Sequence, residues 1–363
     1  MNIDINIFGK YNKQIIIPEF GIESQKKLLE SRVLCVGAGG LGSTLLMYLV
    51  SAGIGTIGIV EIDKVDFSNL HRQPLYNTND IGKNKIDSAY NFLNKLNPDI
   101  NIIKFNNKLL FSNAYNIMKD FDIVVDCTDN LESKLLINEY AFILKIPMIY
   151  GAALGFEGYV AIFDTLFGAC LRCLYYKYPV FGVKNCNDDG VIGPIPGIIG
   201  CLQALECIKL ILHKNKINKF VPLMSKILFI NGVDSNIKIY NIKKNNECDI
   251  CSVLSKNILI FNNLIKFSCV SYNFVKINYN NLYIFDIREK DEYKKSHILG
   301  ALNISFYLFY LFVSFLHKKL SYNCNILIYC GSDAKSIISC KLCNKYLYFN
   351  VYYLQKGYNN VIF

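Results

Sequence analysis

Two Cys-x-x-Cys pairs, Cys170-Leu-Arg-Cys173 and Cys248-Asp-Ile-Cys251, offer four thiols from points roughly 75 residues apart in the chain. Four thiolates in two such knuckles suit a tetrahedral zinc ion closed to substrate. A redox dithiol and reduced core cysteines are the other readings of that spacing. A second group of chemistry-bearing side chains lies upstream. The run Ser31-Arg-Val-Leu-Cys-Val-Gly-Ala-Gly-Gly-Leu-Gly-Ser43 ends an apolar stretch in glycines, with Gly37, Gly39 and Gly42 at dinucleotide-turn spacing. The first glycine of such a turn permits the bend, the second lets backbone approach phosphate, and the third packs helix on strand. Phosphate then rests on the free N–H groups of the helix N-terminus. Glu61 follows about 20 residues on, where a carboxylate can hold ribose hydroxyls. ATP, NAD and FAD all carry that ribose. The stretches Ser68-Asn-Leu-His-Arg-Gln73, Gly82-Lys-Asn-Lys85 and Asp126-Cys-Thr-Asp-Asn130 separate them. The Arg72 guanidinium, the Lys85 ammonium and the Asp129 carboxylate, able to hold Mg²⁺, suit a triphosphate better than a pyrophosphate diester.

These side chains need a scaffold of alternating strands and helices. Leu45, Leu46 and Leu49 follow the glycines at helical spacing, so the glycine run reads as strand, turn and helix. Thr56–Asp63 and Phe121–Asp126 read as strands, residues 10–30 as helical and partly exposed, and Ile198–Leu212 as a helix that packs Cys201 and Cys207. Glycine and proline density in Asn185–Gly190 and Gly193–Gly197 predicts an exposed crossover loop in which the Cys186 thiol is accessible. After the apolar, asparagine-rich stretch Ser252–Lys266 the pattern changes. Leu282–Glu289, Ser296–Ile304 and the strand Asn325–Tyr329 follow, and that strand delivers Cys330 into the loop Gly331–Ser336. Backbone N–H donors around a sulfur so placed favour a thiolate.

A chain of 363 residues, 52% of them apolar, can bury one large core and a smaller second one. Fourteen cysteines and an N-terminus without a basic segment leading into an apolar core predict a reducing, cytoplasmic setting. The net charge of +10 is spread over lysines that alternate with asparagines, with no dense basic block, so no direct nucleic-acid partner is expected. The longest apolar run, Ile304–Leu316, is too short and interrupted to span a bilayer and reads as buried helix, with no membrane partner.

From Tyr11-Asn-Lys-Gln-Ile15 to the Cys248/Cys251 pair the sequence resembles the MoeB/ThiF-type activating enzymes, relatives of the ubiquitin-activating enzymes, which adenylate the C-terminal glycine of a ubiquitin-fold sulfur carrier. Asp286-Ile-Arg-Glu289, His297-Ile-Leu-Gly-Ala301 and the strand-Cys330-loop order resemble a rhodanese domain. The resemblance implies a Rossmann-like α/β adenylation domain with a zinc-stapled crossover over residues 1–255, a linker over 256–268 and a small rhodanese-like α/β domain over 269–363. It implies that ATP is bound by Gly40, Glu61, Ser68, Asn69, Leu70, His71, Arg72, Lys85, Asp129 and Asn130, with Mg²⁺ near Asp129. It places structural Zn²⁺ on Cys170, Cys173, Cys248 and Cys251, and chemistry with the carrier's C-terminus at Cys186 and Cys330. Lys13 stands where the family has an arginine that reaches a partner subunit's nucleotide, which implies a homodimer. The implied partners are a ubiquitin-like sulfur carrier ending in Gly-Gly and a persulfide donor such as a cysteine desulfurase. The implied product is a thiocarboxylate for tRNA thiolation, molybdopterin synthesis or both. Departures are Glu61 for the family's aspartate, Lys13 for arginine, and a loop after Cys330 that lacks the usual arginine and carries Asp333 in place of glycine. The alternatives are a modifier-activating enzyme without sulfur transfer, a scaffold without catalysis, and a Rossmann dehydrogenase; the last gives Arg72, Lys85 and Asp129 no use.

Overall fold

The computed structural model describes residues 5–164, 168–175, 190–215, 217, 220–246, 248, 250–251, 267–306, 309, 324–331, 336, 339–340, 343, 350–355 and 357–358. The chain divides into two compact units, Met1–Ser255 and Lys256–Phe363.

The first unit opens with helices α1 (Ile5–Ile15) and α2 (Gly21–Glu30), which lead into strand β1 (Arg32–Val36) and helix α3 (Gly40–Ala52). Strands β2 (Thr56–Val60), β3 (Asn101–Phe105), β4 (Ile123–Asp126) and β5 (Met148–Leu154) alternate with helices α4 (Lys85–Leu96), α5 (Phe111–Met118) and α6 (Leu131–Leu144). Strand β6 (Glu157–Phe163), the single helical turn α7 (Leu171–Leu174), the long helix α8 (Pro194–Lys214) and strands β7 (Lys226–Asn231) and β8 (Asn236–Asn241) complete the unit. They form one eight-stranded sheet in the order β3-β2-β1-β4-β5-β6-β7-β8. β1 to β5 are parallel, and the β5-β6-β7-β8 extension is antiparallel.

The inner parallel strands β1, β2 and β4 are apolar runs because both faces are covered, and β4 is buried at every position, whereas the edge strand β3 exposes Asn101 and Lys104. On one face α3 buries Leu45, Leu46 and Leu49 completely, each contributing about 1.5–3 kcal/mol on leaving water. Thr44 Oγ1 of α3 donates to the Gly197 carbonyl of α8 at 3.0 Å, tying those helices together. α8 is long and apolar enough to cross a membrane, yet 61% of its apolar window is buried inside the protein, and it serves as a core helix. It begins four residues earlier than its periodicity indicates. Pro194 occupies the first helical position, where a missing N–H leaves no bond unmade. The strand order runs outward from β1 through β2 to β3 and then resumes on the other side of β1 with β4, so a crevice opens beyond the carboxyl ends of β1 and β4.

The second unit has a five-stranded parallel sheet in the order β11-β10-β12-β13-β9. Its strands are β9 (Phe267–Val270), β10 (Leu282–Asp286), β11 (Leu302–Asn303), β12 (Asn325–Tyr329) and β13 (Asn350–Leu354), with helices α9 (Tyr272–Asn278) and α10 (Lys290–Lys295). β9 pairs with β13 at the far end of the chain, so Phe267 and Ser268 are sheet residues and not linker. Phe306 and Phe309 of the apolar run are buried; the rest of that run beyond Phe309 lies outside the described residues.

Candidate functional site

Beyond β1 and β4 lies a cleft of about 1320 Å³. The glycine turn forms one wall. Gly37 has φ +95°, a conformation that L side chains rarely adopt, and an added Cβ would stand 2.8 Å from the Cys127 carbonyl oxygen. The turn is clamped on both edges of Ala38: Glu61 Oε2 accepts from Ala38 N at 2.9 Å, and Tyr76 Oη donates to the Ala38 carbonyl at 2.8 Å. Burial, then the Glu61 charge, pushes the Tyr76 phenol well above its ordinary range, so it stays a donor. Glu61 Oε1 accepts the Ile62 and Asp63 N–H groups at 2.8 and 2.9 Å. The glutamate is thereby a brace of the turn as well as a wall of the cleft.

Gly40, Glu61, Asn69, Arg72, Lys85, Asp129 and Asn130 all line this cleft. Lys85 opens α4, is 5% exposed, and points its ammonium at Asp63 Oδ2, 3.4 Å away. Arg72 Nη1 donates to the Ser68 carbonyl at 2.9 Å and to His71 Nε2 at 2.8 Å. Asn130 caps α6 by accepting from Ser133 N at 2.8 Å, and its Nδ2 donates to Asp129 Oδ1 at 3.3 Å. Ser68, Leu70 and His71 are not in the cleft lining. Asp66 caps the short turn by accepting at Oδ1 from the N–H and Oγ of Ser68, bonds that hold the Asp66 carboxyl below its ordinary value. Leu70 packs on the apolar core. Lys13 is exposed on α1 and outside the cleft of its own chain. The cleft thus gathers cations and the exposed carboxylates of Asp63, Asp66 and Asp129 around a glycine turn, a set that can hold a polyphosphate and its counter-ion.

Lys134, Asp126 and Gln203 are features the sequence reading missed. Lys134 and Asp126 form an ion pair at 2.9 Å, their side chains 7% and 0% exposed. Gln203 Nε2, from α8, donates to the Asp126 carbonyl at 2.8 Å. The one signal was a lysine inside the apolar run of α6. Cys127 also lines the cleft, but burial first, then its contact with Cys35, pushes its thiol well up, so it stays protonated and is no nucleophile.

Cys170, Cys173, Cys248 and Cys251 converge, with all four sulfurs within 4.8 Å of one another. The Cys170–Cys248, Cys173–Cys251 and Cys170–Cys173 separations are 3.6, 3.3 and 3.9 Å. Sulfurs at 2.3 Å from a tetrahedral centre stand about 3.8 Å apart, so the set fits one metal ion. Hydrogen bonds from the neighbouring thiols hold Cys173 low and bring Cys248 down to about 7, with Cys170 the first donor to each. α7 begins at Leu171 N, donating to Asn138 Oδ1 at 2.8 Å, which fixes the first knuckle against α6. Cys186 lies outside the described residues.

In the second unit Cys330 ends the central strand β12 and is buried. Its carbonyl accepts from Tyr358 N at 2.8 Å. Gly357, at φ +68°, passes so close that a Cβ there would lie 2.5 Å from the Gly331 oxygen. Arg288 Nε donates to both Asp286 oxygens and Nη2 donates to Oδ2 at 2.6 Å, and the guanidinium carbon lies 3.9 Å from the Tyr358 ring centroid. The Asp-x-Arg motif is therefore a buried brace between the end of β10 and Tyr358, the residue whose N–H holds the Cys330 carbonyl. Residues 332–335 of the loop lie outside the described residues.

The ThiF family model matches residues 11–252, and a rhodanese-like domain model matches residues 275–362. The chain belongs to the ThiF family. It joins that adenylation-type unit to a rhodanese-like one, the two-part organisation read from the sequence. The adenylyltransferase and sulfurtransferase UBA4 of Meyerozyma guilliermondii is 38% identical over 311 residues, spanning 81% of this chain and 73% of the relative. A probable molybdopterin-synthase adenylyltransferase of Gracilaria tenuistipitata var. liui is 32% identical, spanning 93% of this ThiF-family chain and 94% of its own. Crystalline E. coli MccB with MccA-N7isoASN superposes at a TM-score of 0.56 with 23% identity, covering 63% of this chain and 69% of that one, a likeness of fold.

Proposed function

We propose that this protein activates the C-terminal glycine of a ubiquitin-like sulfur carrier with ATP and then transfers sulfur to it, leaving a thiocarboxylate for tRNA thiolation, molybdopterin synthesis or both. The observation that carries this reading is the meeting of Arg72, Lys85 and Asp129 with the glycine turn in one cleft, in a chain that continues into a rhodanese-like unit.

The carrier carboxylate attacks the α-phosphorus of ATP; a carbon-to-phosphorus oxygen bridge forms, the bond to the β-phosphate oxygen breaks, and pyrophosphate leaves. A carboxylate is ionised at neutral pH and needs no general base. What the reaction lacks is relief from anion–anion repulsion, which Arg72 and Lys85 supply to the entering and departing groups. Lys85 enters this role already oriented, because it is buried at the start of α4. Arg72 exchanges its Ser68 and His71 partners for phosphate oxygens, a stronger, charge-assisted pair. Asp129, with oxygen donors in an exposed position, suits Mg²⁺, which when bound neutralises phosphate charge. Zn²⁺ fits the four cysteines as a closed, structural site.

For the second stage, a persulfide on Cys330, loaded by a donor such as a cysteine desulfurase, attacks the acyl carbon and AMP leaves. A second thiolate, assigned to Cys186, attacks the Cys330 sulfur of the acyl disulfide; that S–S bond breaks, the thiocarboxylate leaves, and a Cys186–Cys330 disulfide forms, which a small-molecule or protein thiol reduces before the next turnover. In this reading Lys13 serves a partner subunit in a homodimer, and a reducing compartment such as the cytoplasm is assigned on the strength of fourteen cysteines. The test is ATP–pyrophosphate exchange with a carrier ending in Gly-Gly. Exchange that proceeds equally without the carrier, or with a carrier lacking its last glycine, would refute the assignment.

A further inference from the structure

A buried ion pair is an unusual way to finish a core strand. β4 runs Ile-Val-Val-Asp126, and the last residue is as buried as the three before it. Its partner Lys134 lies in the apolar interior of α6, between Leu131 and Leu135. Taking both charges from water costs several kcal/mol per ion, and an apolar pair of similar volume commonly gives equal or greater stability. Stability is therefore a poor reason for the pair, and the bonds around it supply a better one.

Asp126 Oδ1 accepts from both Thr128 N, at 3.0 Å, and Thr128 Oγ1, at 2.6 Å. Oδ2 accepts from Lys134 Nζ at 2.9 Å, which also donates to the Gly151 carbonyl of β5 at 2.6 Å. The carboxylate cannot rotate without breaking one of these bonds. Gln203 fixes the Asp126 carbonyl and receives Cys127 Sγ at 3.5 Å. On the far side of Asp129, Asn130 caps the helix that carries Lys134. Asp129 therefore emerges between two anchored residues, Thr128 and Asn130, and both anchors lead back to the pair.

We propose that the buried Asp126–Lys134 pair is a positioning device for the Asp129 loop, holding Thr128 so that Asp129 and Asn130 meet the cleft in one fixed arrangement. The consequence for metal-linked nucleotide binding rests on the reading of Asp129 given above; the positioning itself does not.

The test uses the full chain with Asp126→Val and Lys134→Met together, which replace the pair by apolar groups of similar volume and extend the β-branched run of β4. Melting temperature, amide hydrogen exchange and the affinity for a non-hydrolysable ATP analogue, with and without Mg²⁺, are measured. The double variant should melt near the native protein, while exchange of the Thr128 and Ser133 amides rises by about tenfold or more, as expected on losing a charge-assisted hydrogen bond. The gain in analogue affinity on adding Mg²⁺ should fall with it, and affinity without Mg²⁺ should hold. Should the double variant fail to fold, Thr128→Val removes one bond to the carboxylate in a half-exposed loop and should show the same local rise in exchange. Native exchange in that loop, in either folded variant, overturns the proposal. If the loop loosens but the Mg²⁺-linked gain persists, there and in Asp129→Ala, the positioning stands and the assignment of Asp129 to the metal falls.

Discussion

Two glycines in the same turn separate folding from ligand binding. At Gly42 an added Cβ would stand 2.1 Å from the Gly37 carbonyl oxygen and 3.0 Å from its carbon. That is more than an ångström inside the roughly 3.3 Å of a close carbon–oxygen contact. Both neighbours are backbone, so either the turn or the first turn of α3 must move. Overpacking of this kind costs about 1–3 kcal/mol or more, and a unit of this size loses about 2–4 °C per kcal/mol, so Gly42→Ala should melt roughly 2–12 °C lower. At Gly39 the sole neighbour within 4 Å among the described residues is Gln73 Nε2 at 3.6 Å, an ordinary contact. Gly39→Ala should therefore fold like the native protein, within about 1 kcal/mol for the change at a helix N-cap. Gly39 lines the cleft, and under the proposed function a methyl group there displaces phosphate from the turn; a displacement of about 1 Å costs on the order of a hundredfold in rate. Calorimetric melting without nucleotide and carrier-dependent pyrophosphate exchange measure the two effects. Native exchange by Gly39→Ala would mean that phosphate does not rest on this turn, and native melting of Gly42→Ala would refute the packing argument.

Asp129→Ala should slow pyrophosphate exchange by about 10²-fold or more, the scale of removing a transition-state charge stabiliser, and Arg72→Ala and Lys85→Ala should do likewise; unchanged exchange removes the residue from the site. Native protein should carry one zinc ion per chain by elemental analysis. Since such binding is worth on the order of 10 kcal/mol, Cys248→Ser should aggregate or melt early, and folded native protein without metal would contradict a structural role. Cys330→Ala should keep pyrophosphate exchange and lose thiocarboxylate formation by mass spectrometry, because the two reactions use different units. Normal thiocarboxylate from that variant would make the second unit a docking module.

The alternation of strand and helix was legible because the inner parallel strands β1, β2 and β4 are buried on both faces and read as apolar runs. The glycine turn was legible for a related reason: positive φ and close backbone approach admit few residues besides glycine. β9 was not legible. Phe267–Val270 gains its identity from pairing with Val351–Leu354, more than 80 residues later, and no local signal in an asparagine-rich stretch announces such a partner. The start of α8 was obscured by Pro194 and Pro196, which mark a loop in most settings but are admitted in the first turn of a helix.

Within the site, residue type gave the chemistry and long-range geometry gave the division of labour. Glu61 was read as a ribose ligand from its spacing, yet a carboxylate has about four acceptor positions, and three N–H groups, those of Ala38, Ile62 and Asp63, already occupy it. The extra methylene that sets glutamate apart from aspartate extends its reach, and here it spans from the end of β2 to the glycine turn. With ATP bound as proposed, this glutamate would couple the ribose position to the phosphate position through one side chain. A ribose hydroxyl added there meets a carboxylate that is fixed before the ligand arrives, so little ordering remains to be done on binding. Asp126 and Lys134 follow the same logic on the opposite wall, where a charged pair that adds little to stability fixes the loop carrying Asp129. Neither brace has a motif of its own, because each is defined by the backbone groups it meets and not by its neighbours in sequence.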